Sequence, residues 1–161
     1  MKSKIIIYTD GSARGNPGKA GWAAILVNGK KILEIGGRSD HATNNQMELT
    51  APIEALKYLK KHLSRRAKAD KKTSPMEIFS DSKYVILGIT EWIFNWQKNN
   101  WRNANKKLVL NRELWERLYK LAEELKPKWV YIEGHNGDKW NERADVIATS
   151  FADNIPIKLR K

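Results

Sequence analysis

The chain has 161 residues, of which 41% are hydrophobic, so it can bury one sizeable core, and we expect a single domain over residues 1–161. It contains no cysteine, which excludes disulfides and thiolate metal sites. No run of residues resembles a signal peptide or a membrane span, so we expect a cytoplasmic protein without a membrane partner. Lys and Arg outnumber Asp and Glu by 30 to 18, and this net charge of +12 favours nucleic acid as the partner over a merely soluble basic protein.

The first part of the chain predicts three strands and one long helix. The β-branched run from Lys4 to Asp10 is typical of a buried strand. Two further apolar runs lie on either side of Asn28 and Gly29, a dipeptide that suits the positive φ angles of a tight hairpin. From Thr43 onward, apolar residues recur at steps of three or four, which indicates one face of a helix.

The remainder of the chain alternates strands with helices. The predicted elements are a strand at 76–81, a short helix at 82–89, an amphipathic helix at 111–125, a strand at 128–134 and a helix at 142–154. Pro127 is predicted to end the amphipathic helix and Asn141 to cap the last one. Three strands followed by this alternation predict an α/β fold, with a mixed sheet and helices on its faces.

Acidic residues fall at the ends of predicted elements. Asp10 closes the first strand and Asp81 closes the fourth, each after an apolar run and a small polar residue. If these strands are parallel neighbours, both carboxylates emerge at the edge where open α/β sheets bind ligands. Glu48, near the start of the long helix, and Asp145, in the last helix, would add two more. Four carboxylates without matching cations would repel one another unless a hard divalent ion such as Mg²⁺ neutralised them.

Each of these residues also has a purely structural interpretation. An Asp after a strand commonly forms an Asx-turn or a cap. Glu48 and Asp145 can each stabilise the dipole of their own helix. His135, in the loop sequence GHNG, can be a simple hydrogen-bond donor. Only the joint occurrence of all five residues favours a catalytic site.

Five segments of the chain carry a family resemblance. They are YTDGSARGNPGKAGWAAIL, TNNQMELTAPIEAL, FSDSKYV, ITEWIFNWQKNNW and GHNGDKWNERADVIA. In this order they resemble the successive motifs of type 1 ribonuclease H. The resemblance implies a five-stranded mixed sheet flanked by helices, with strands one to three antiparallel and strands four and five parallel to the first. It also implies an endonuclease that hydrolyses the RNA strand of RNA–DNA hybrids.

The resemblance further implies the cofactors, the products and the catalytic residues. Two Mg²⁺ ions, with Mn²⁺ as a possible substitute, would act in one site and leave 5′-phosphate and 3′-hydroxyl ends. The enzyme would be a monomer without an obligatory protein partner. Asp10, Glu48, Asp81 and Asp145 match the family's metal-binding catalytic carboxylates, and His135 matches its mobile catalytic histidine.

Other residues match the family's nucleic-acid contacts. On the RNA side these are Gly11, whose backbone would approach the strand, and Asn16, Asn44 and Asn45, which would read 2′-hydroxyls and base edges. Thr43 and Asn111 match two members of a pocket that grips a DNA phosphate, whereas His41 stands where an Arg is common. The structural alternative makes Asn16 a turn former and Asn44 part of a helix start.

A Trp-rich basic segment at about residues 90–107 resembles the family's basic protrusion. Aromatic rings beside cations suit a channel for a nucleic-acid strand. The predicted contacts are Trp92, Trp96, Lys98, Trp101, Arg102, Lys106 and Lys107. Trp92 and Trp96 are one helical turn apart, so mutual packing is the alternative for at least one of them.

A second basic segment, at about residues 60–75, joins the long helix to the fourth strand. Residues 60–72 contain seven Lys or Arg and one Asp, which gives +6. This segment is either a solvated loop or an additional phosphate-binding surface. Pro52 lies within the preceding helix, and its ring predicts a kink beside Glu48.

Two other function classes remain open at this point. A related nuclease, such as a junction resolvase or a transposase-like enzyme, could use a similar acidic cluster, but the Asn and Trp motifs argue against it. A non-catalytic hybrid-binding module is the other class. The presence of His135 together with all four acidic residues argues against such a module.

Overall fold

The computed structural model describes residues 4–62 and 75–161. Its strands form one mixed sheet in the order β3-β2-β1-β4-β5. They are β1 (Ile5–Gly15), β2 (Gly18–Asn28), β3 (Lys31–Ala42), β4 (Met76–Ser80) and β5 (Lys128–Tyr131). The pairs β1–β2 and β2–β3 are antiparallel, whereas β4 runs parallel to both β1 and β5. The predicted α/β fold with a five-stranded mixed sheet is therefore confirmed.

Helices cover both faces of the sheet. They are α1 (Asn44–His62), α2 (Lys83–Leu87), α3 (Ile93–Lys98), α4 (Arg112–Leu125) and α5 (Lys139–Ala152), with a π-helical turn, Gly88–Trp92, between α2 and α3. Alternate residues of β2 face opposite sides: Ala24 and Leu26 join the main core with α1 and α4, while Ala23 and Ile25 pack against α5. The two-residue period of the strand thus builds a core on each face.

The end of the first strand differs from the prediction. The sequence pattern ends it at Asp10, but β1 continues to Gly15 because the hairpin partner β2 pairs with it along its whole length. The parallel pairing of β1 with the shorter strand β4 ends beside Asp10. The last residue pair of these two strands is Thr9 with Ser80. Asp10 therefore lies within a strand, at the point where one of its two neighbouring strands stops.

The predicted cap of the last helix is wrong. Asp138, not Asn141, is the N-cap of α5, and its carboxylate accepts hydrogen bonds from the backbone N–H groups of Trp140 and Asn141. Asn141 lies inside the helix and is only 3% exposed. The fifth strand is also shorter than predicted, since β5 ends at Tyr131.

The structure covers only part of the predicted basic segment that joins α1 to β4. Of the basic segment at about 60–75, residues 63–74 lie outside the described residues. Helix α1 runs without a break through the buried Pro52. That the whole chain forms a single domain stays a prediction. Within residues 4–62 and 75–161, no helix has the length and apolar character needed to cross a membrane.

Candidate active site

Three carboxylates meet at one edge of the sheet. Asp10, Glu48 and Asp81 each provide an oxygen atom, and these three atoms lie within 4.8 Å of one another. Asp10 lies on β1, Asp81 directly follows β4, and Glu48 is in the first turns of α1. The expectation that β1 and β4 are parallel neighbours is confirmed. This parallel pairing brings Asp10 and Asp81 together, and α1 brings Glu48 from one face.

Two glycines allow this close approach. A Cβ atom on Gly11 would lie 2.5 Å from the backbone nitrogen of Glu48, so α1 rests directly on the backbone of β1. The backbone of Gly11 also acts on Glu48, since it lowers the pKa of that carboxylate against the larger effect of burial. A Cβ atom on Gly134 would lie 2.8 Å from Oδ2 of Asp81. Gly11 is buried, which favours this packing role, and its predicted contact with nucleic acid stays a prediction.

The buried carboxylates have raised pKa values. Burial, followed by the negative charge of Asp81, raises the pKa of Asp10 to about 8. Burial, followed by the charges of Asp10 and Asp81, raises the pKa of Glu48 well above its usual range. Among the described residues, Oε2 of Glu48 has no hydrogen-bond partner. Buried like charges and an unpartnered carboxylate oxygen together fit a divalent cation with oxygen ligands.

Asp145 and His135 lie at the border of this cluster. The half-buried Asp145, on α5, is close enough to Asp10 to raise its pKa through both a hydrogen bond and its charge. It does not belong to the compact group of three that the described residues form. His135 is exposed in the loop between β5 and α5, with a left-handed φ of 57°. The metal-binding role of Asp145 and the catalytic role of His135 stay predictions.

Asn141 is a site residue that sequence reasoning missed. Its Nδ2 donates a hydrogen bond to Oδ2 of Asp81 over 3.3 Å, so a buried side chain of α5 restrains the carboxylate that follows β4. The sequence does contain a signal. Asn141 shares the helical spacing of Ala144 and Ala148, which are both buried, and therefore lies on the inner face of α5.

The residues predicted to read RNA surround the start of α1. Oδ1 of Asn16 accepts the backbone N–H of Asn44 over 3.0 Å and so ties the β1–β2 turn to this helix. Asn44 and Asn45 are exposed. The structural alternative that placed Asn44 at a helix start is confirmed. Contacts of these three residues with RNA stay predictions.

The two residues predicted to bind a DNA phosphate are joined through Gln46. Thr43 and Gln46 form a capping box, in which each backbone N–H donates to the other side chain over 2.8 and 3.1 Å. Nε2 of Gln46 then donates to Oδ1 of Asn111 over 3.3 Å. Asn111 has a left-handed φ of 62° just before α4. His41 is exposed near the end of β3.

The Trp-rich segment is a packed aromatic cluster. The predicted packing of Trp92 on Trp96 is confirmed by ring centroids 6.0 Å apart. Trp96 also packs on Trp101 and on Trp115, at 6.2 and 5.3 Å. Trp101 is only 7% exposed, which favours a packing role, whereas Trp92 is 39% exposed. The cations predicted to contact nucleic acid are all exposed: Lys98, Arg102, Lys106 and Lys107.

The family model and the known proteins that this chain resembles all point to one family. A family model described as RNase H matches residues 2–153. A Ribonuclease H of Ruthia magnifica subsp. Calyptogena magnifica is 45% identical over 153 residues, which cover 95% of this chain and 98% of that protein. The Ribonuclease HI of Pseudomonas aeruginosa is 39% identical over 155 residues, which cover 96% of this chain and 97% of that protein.

Solved structures resemble the whole chain. LC9-RNase H1, a type 1 RNase H with the type 2 active-site motif, superposes with a TM-score of 0.77 at 22% identity, covering 100% of this chain and 78% of that one. LC11-RNase H1, solved in complex with an RNA/DNA hybrid, gives a TM-score of 0.67 at 26% identity, with 93% and 97% covered. Sheet order, flanking helices and these likenesses define the ribonuclease H fold. The chain belongs to the ribonuclease H family, and within it to type 1.

Proposed function

We propose that this chain is an endonuclease that hydrolyses the RNA strand of RNA–DNA hybrids, with Asp10, Glu48 and Asp81 as ligands of a divalent metal. The observation that carries the proposal is the meeting of these three carboxylates within 4.8 Å. LC11-RNase H1, solved with an RNA/DNA hybrid, supports the substrate class. The proposed cofactor is Mg²⁺, with Mn²⁺ as a substitute, as two ions per site and with Asp145 as a further ligand.

Both the metal ions and the side chains of the protein contribute to the proposed hydrolysis. Asp10, Glu48 and Asp81 would hold the divalent ions, which would supply an activated water and charge stabilisation at the departing oxygen. Asn141 restrains the Asp81 carboxylate through its hydrogen bond. His135 lies on an exposed loop, and we assign it the auxiliary role of assisting product departure. The products are a 5′-phosphate and a 3′-hydroxyl.

Specificity for hybrids is assigned to the start of α1 and to the Trp-rich segment. Asn16, Asn44 and Asn45 present amide groups suited to the wide minor groove, where the RNA strand shows its 2′-hydroxyls. Trp92 and the exposed cations of residues 98–107 suit the sugars and phosphates of the DNA strand. The chain acts as a monomer in the cytoplasm without an obligatory protein partner.

A cleavage assay tests the proposal directly. Labelled hybrid, duplex RNA and duplex DNA are each incubated with the protein, with and without Mg²⁺. We expect cleavage of the RNA strand of the hybrid alone, and only with metal. Cleavage of duplex DNA would instead favour a resolvase or transposase-like enzyme. Binding of hybrid without cleavage under all metal conditions would favour a non-catalytic module.

A further inference from the structure

We propose that Gln46 is a positioning residue that assembles the DNA-phosphate pocket by holding Thr43 and Asn111 in one arrangement. The inference rests on the proposed function, because it assigns a role within hybrid binding. Gln46 is half-buried at the start of α1, and Asn111 precedes α4. A single carboxamide therefore joins two elements that are 65 positions apart in the chain.

The orientation of the Gln46 amide follows from its partners. The backbone N–H of Thr43 can only donate, so the group that faces it over 2.8 Å must be the carbonyl oxygen Oε1. Nε2 of Gln46 then faces Asn111, whose amide must present Oδ1 as the acceptor at 3.3 Å. One backbone N–H thus determines the direction of both amides.

The side-chain amide nitrogen of Asn111, which points away from Gln46, is also held by a hydrogen bond. This Nδ2 donates to the hydroxyl of Tyr84 over 3.1 Å, and that hydroxyl also accepts the indole N–H of Trp115 over 3.1 Å. Trp115 is fully buried, so this end of the chain of hydrogen bonds is anchored in the core. Asn111 is therefore restrained from both sides, by Gln46 and by Tyr84.

Within residues 4–62 and 75–161, this network leaves suitable donors free for a phosphate. The Thr43 hydroxyl oxygen accepts the backbone N–H of Gln46, so its own O–H hydrogen remains available. Asn111 uses one Nδ2 hydrogen on Tyr84 and keeps the second. Both donors are neutral. Gln46 lies two positions before Glu48 on α1, so the same helix sets the distance between the pocket and the acidic cluster.

Two variants each remove the hydrogen bond from Gln46 to Asn111. Gln46→Glu keeps an acceptor for the N–H of Thr43 but cannot donate to Asn111 when ionised, and Gln46→Ala removes both contacts without adding charge. We expect each variant to raise the Michaelis constant for hybrid by about 3- to 10-fold, as for the loss of one hydrogen bond, with kcat nearly unchanged. The melting temperature of each variant is measured alongside.

A chemically modified substrate distinguishes positioning from a general structural effect. A neutral methylphosphonate is placed at each DNA position of the hybrid in turn. For the parent enzyme we expect one position at which the substitution clearly raises the Michaelis constant, and for both Gln46 variants a much smaller effect there. Positions away from the pocket serve as matched controls. Asn111→Ala should show the same loss of sensitivity, and adding Gln46→Ala to it should raise the constant no further.

The possible outcomes distinguish failure of the proposed hybrid-cleaving function from failure of the positioning role of Gln46. If the parent protein does not cut hybrid, the proposed function itself fails. If the parent cuts hybrid and the Gln46 variants stay as sensitive as the parent to methylphosphonate at every position, the positioning role of Gln46 is overturned. An unchanged Michaelis constant in both variants would overturn it as well.

Discussion

A Cβ atom at Gly11 would lie 2.5 Å from the backbone nitrogen of Glu48, so β1 and α1 touch backbone to backbone at the acidic cluster. No flexible side chain lies between them to absorb a change. The nearest neighbours of that Cβ are backbone atoms and the Cβ of Met47. The separation of Asp10 from Glu48 is therefore set by the absence of a side chain at Gly11.

Gly11→Ala should push α1 away from β1 and misplace Glu48. We expect a loss of cleavage rate of about 100-fold, typical of a misplacement near 1 Å, and a loss of about 1–3 kcal/mol of unfolding free energy from overpacking. Gly29→Ala is the control, because a Cβ there meets nothing within 4 Å although its φ of +63° adds backbone strain. Normal activity of Gly11→Ala would show that the contact is not critical.

Asp81→Asn should abolish cleavage and leave the fold and hybrid binding intact. The amide keeps the shape of the side chain and removes a negative metal ligand. Since the variant removes a negative charge beside the buried carboxylates of Asp10 and Glu48, its metal-free form should melt at a higher temperature than the parent. Cleavage, hybrid binding and melting are measured separately. Turnover near that of the parent at ordinary Mg²⁺ concentration would rule out the metal role of Asp81.

Asn141→Ala should weaken the response to metal. The variant removes the 3.3 Å hydrogen bond to Asp81, and loss of such a supporting contact typically reduces metal affinity or activity by about 10- to 100-fold. We expect the Mg²⁺ concentration for half-maximal cleavage to rise and activity to recover in part at high Mg²⁺. A merely structural defect would lower the melting temperature without changing that Mg²⁺ concentration.

The metal-free protein should lose stability as pH rises from about 5 to 8. Burial raises the folded-state pKa of Asp10 from 3.8 to about 8. A raised folded-state pKa contributes stability below the unfolded value, and this contribution is lost as pH rises through the folded value. The pair of Glu34 and Arg143 lowers the pKa of Glu34 below 4.5, so its contribution is constant over this range.

Thermal melting at each pH measures this effect. We expect the melting temperature to fall by at least about 2–4 °C, the shift that about 1 kcal/mol produces in a chain of this size. Asp10→Asn should flatten the pH dependence, and saturating Mg²⁺ should flatten it as well. A melting temperature of the metal-free parent that rises over the same range would contradict the raised pKa of Asp10.

Recognition of 2′-hydroxyls should require several consecutive ribonucleotides. If Asn16, Asn44 and Asn45 read the RNA strand, a DNA duplex with a few central ribonucleotides in one strand should be cut. A duplex with a single ribonucleotide should be cut poorly or not at all. The assay compares cleavage rates on both substrates at equal Mg²⁺. Efficient cleavage at the isolated ribonucleotide would point to a different class of ribonuclease H.

Most of the elements and most of the acidic cluster were predictable from the residue pattern, whereas the helix α3 was not predicted. Apolar runs with β-branched residues predicted β1 and β4, and the helical spacing of Leu and Ile residues predicted α1. The strongly amphipathic pattern of residues 111–125 predicted α4 to within one residue. Asp10 and Asp81 were recognisable as site residues because each comes directly after the parallel pairing of two neighbouring strands, whose ends meet at one edge of the sheet. All of these signals are local and periodic.

The contacts between distant parts of the chain depend on its tertiary structure. The hydrogen bond of Asn141 to Asp81 spans 60 positions and that of Gln46 to Asn111 spans 65. The pairing of β2 along the whole of β1, which places Asp10 inside a strand, likewise depends on the hairpin as formed. A periodic pattern reports which face of an element is buried, but not which side chain lies opposite. That partner is set by how strands and helices pack, because a hydrogen bond requires its two atoms to meet within about 3.5 Å.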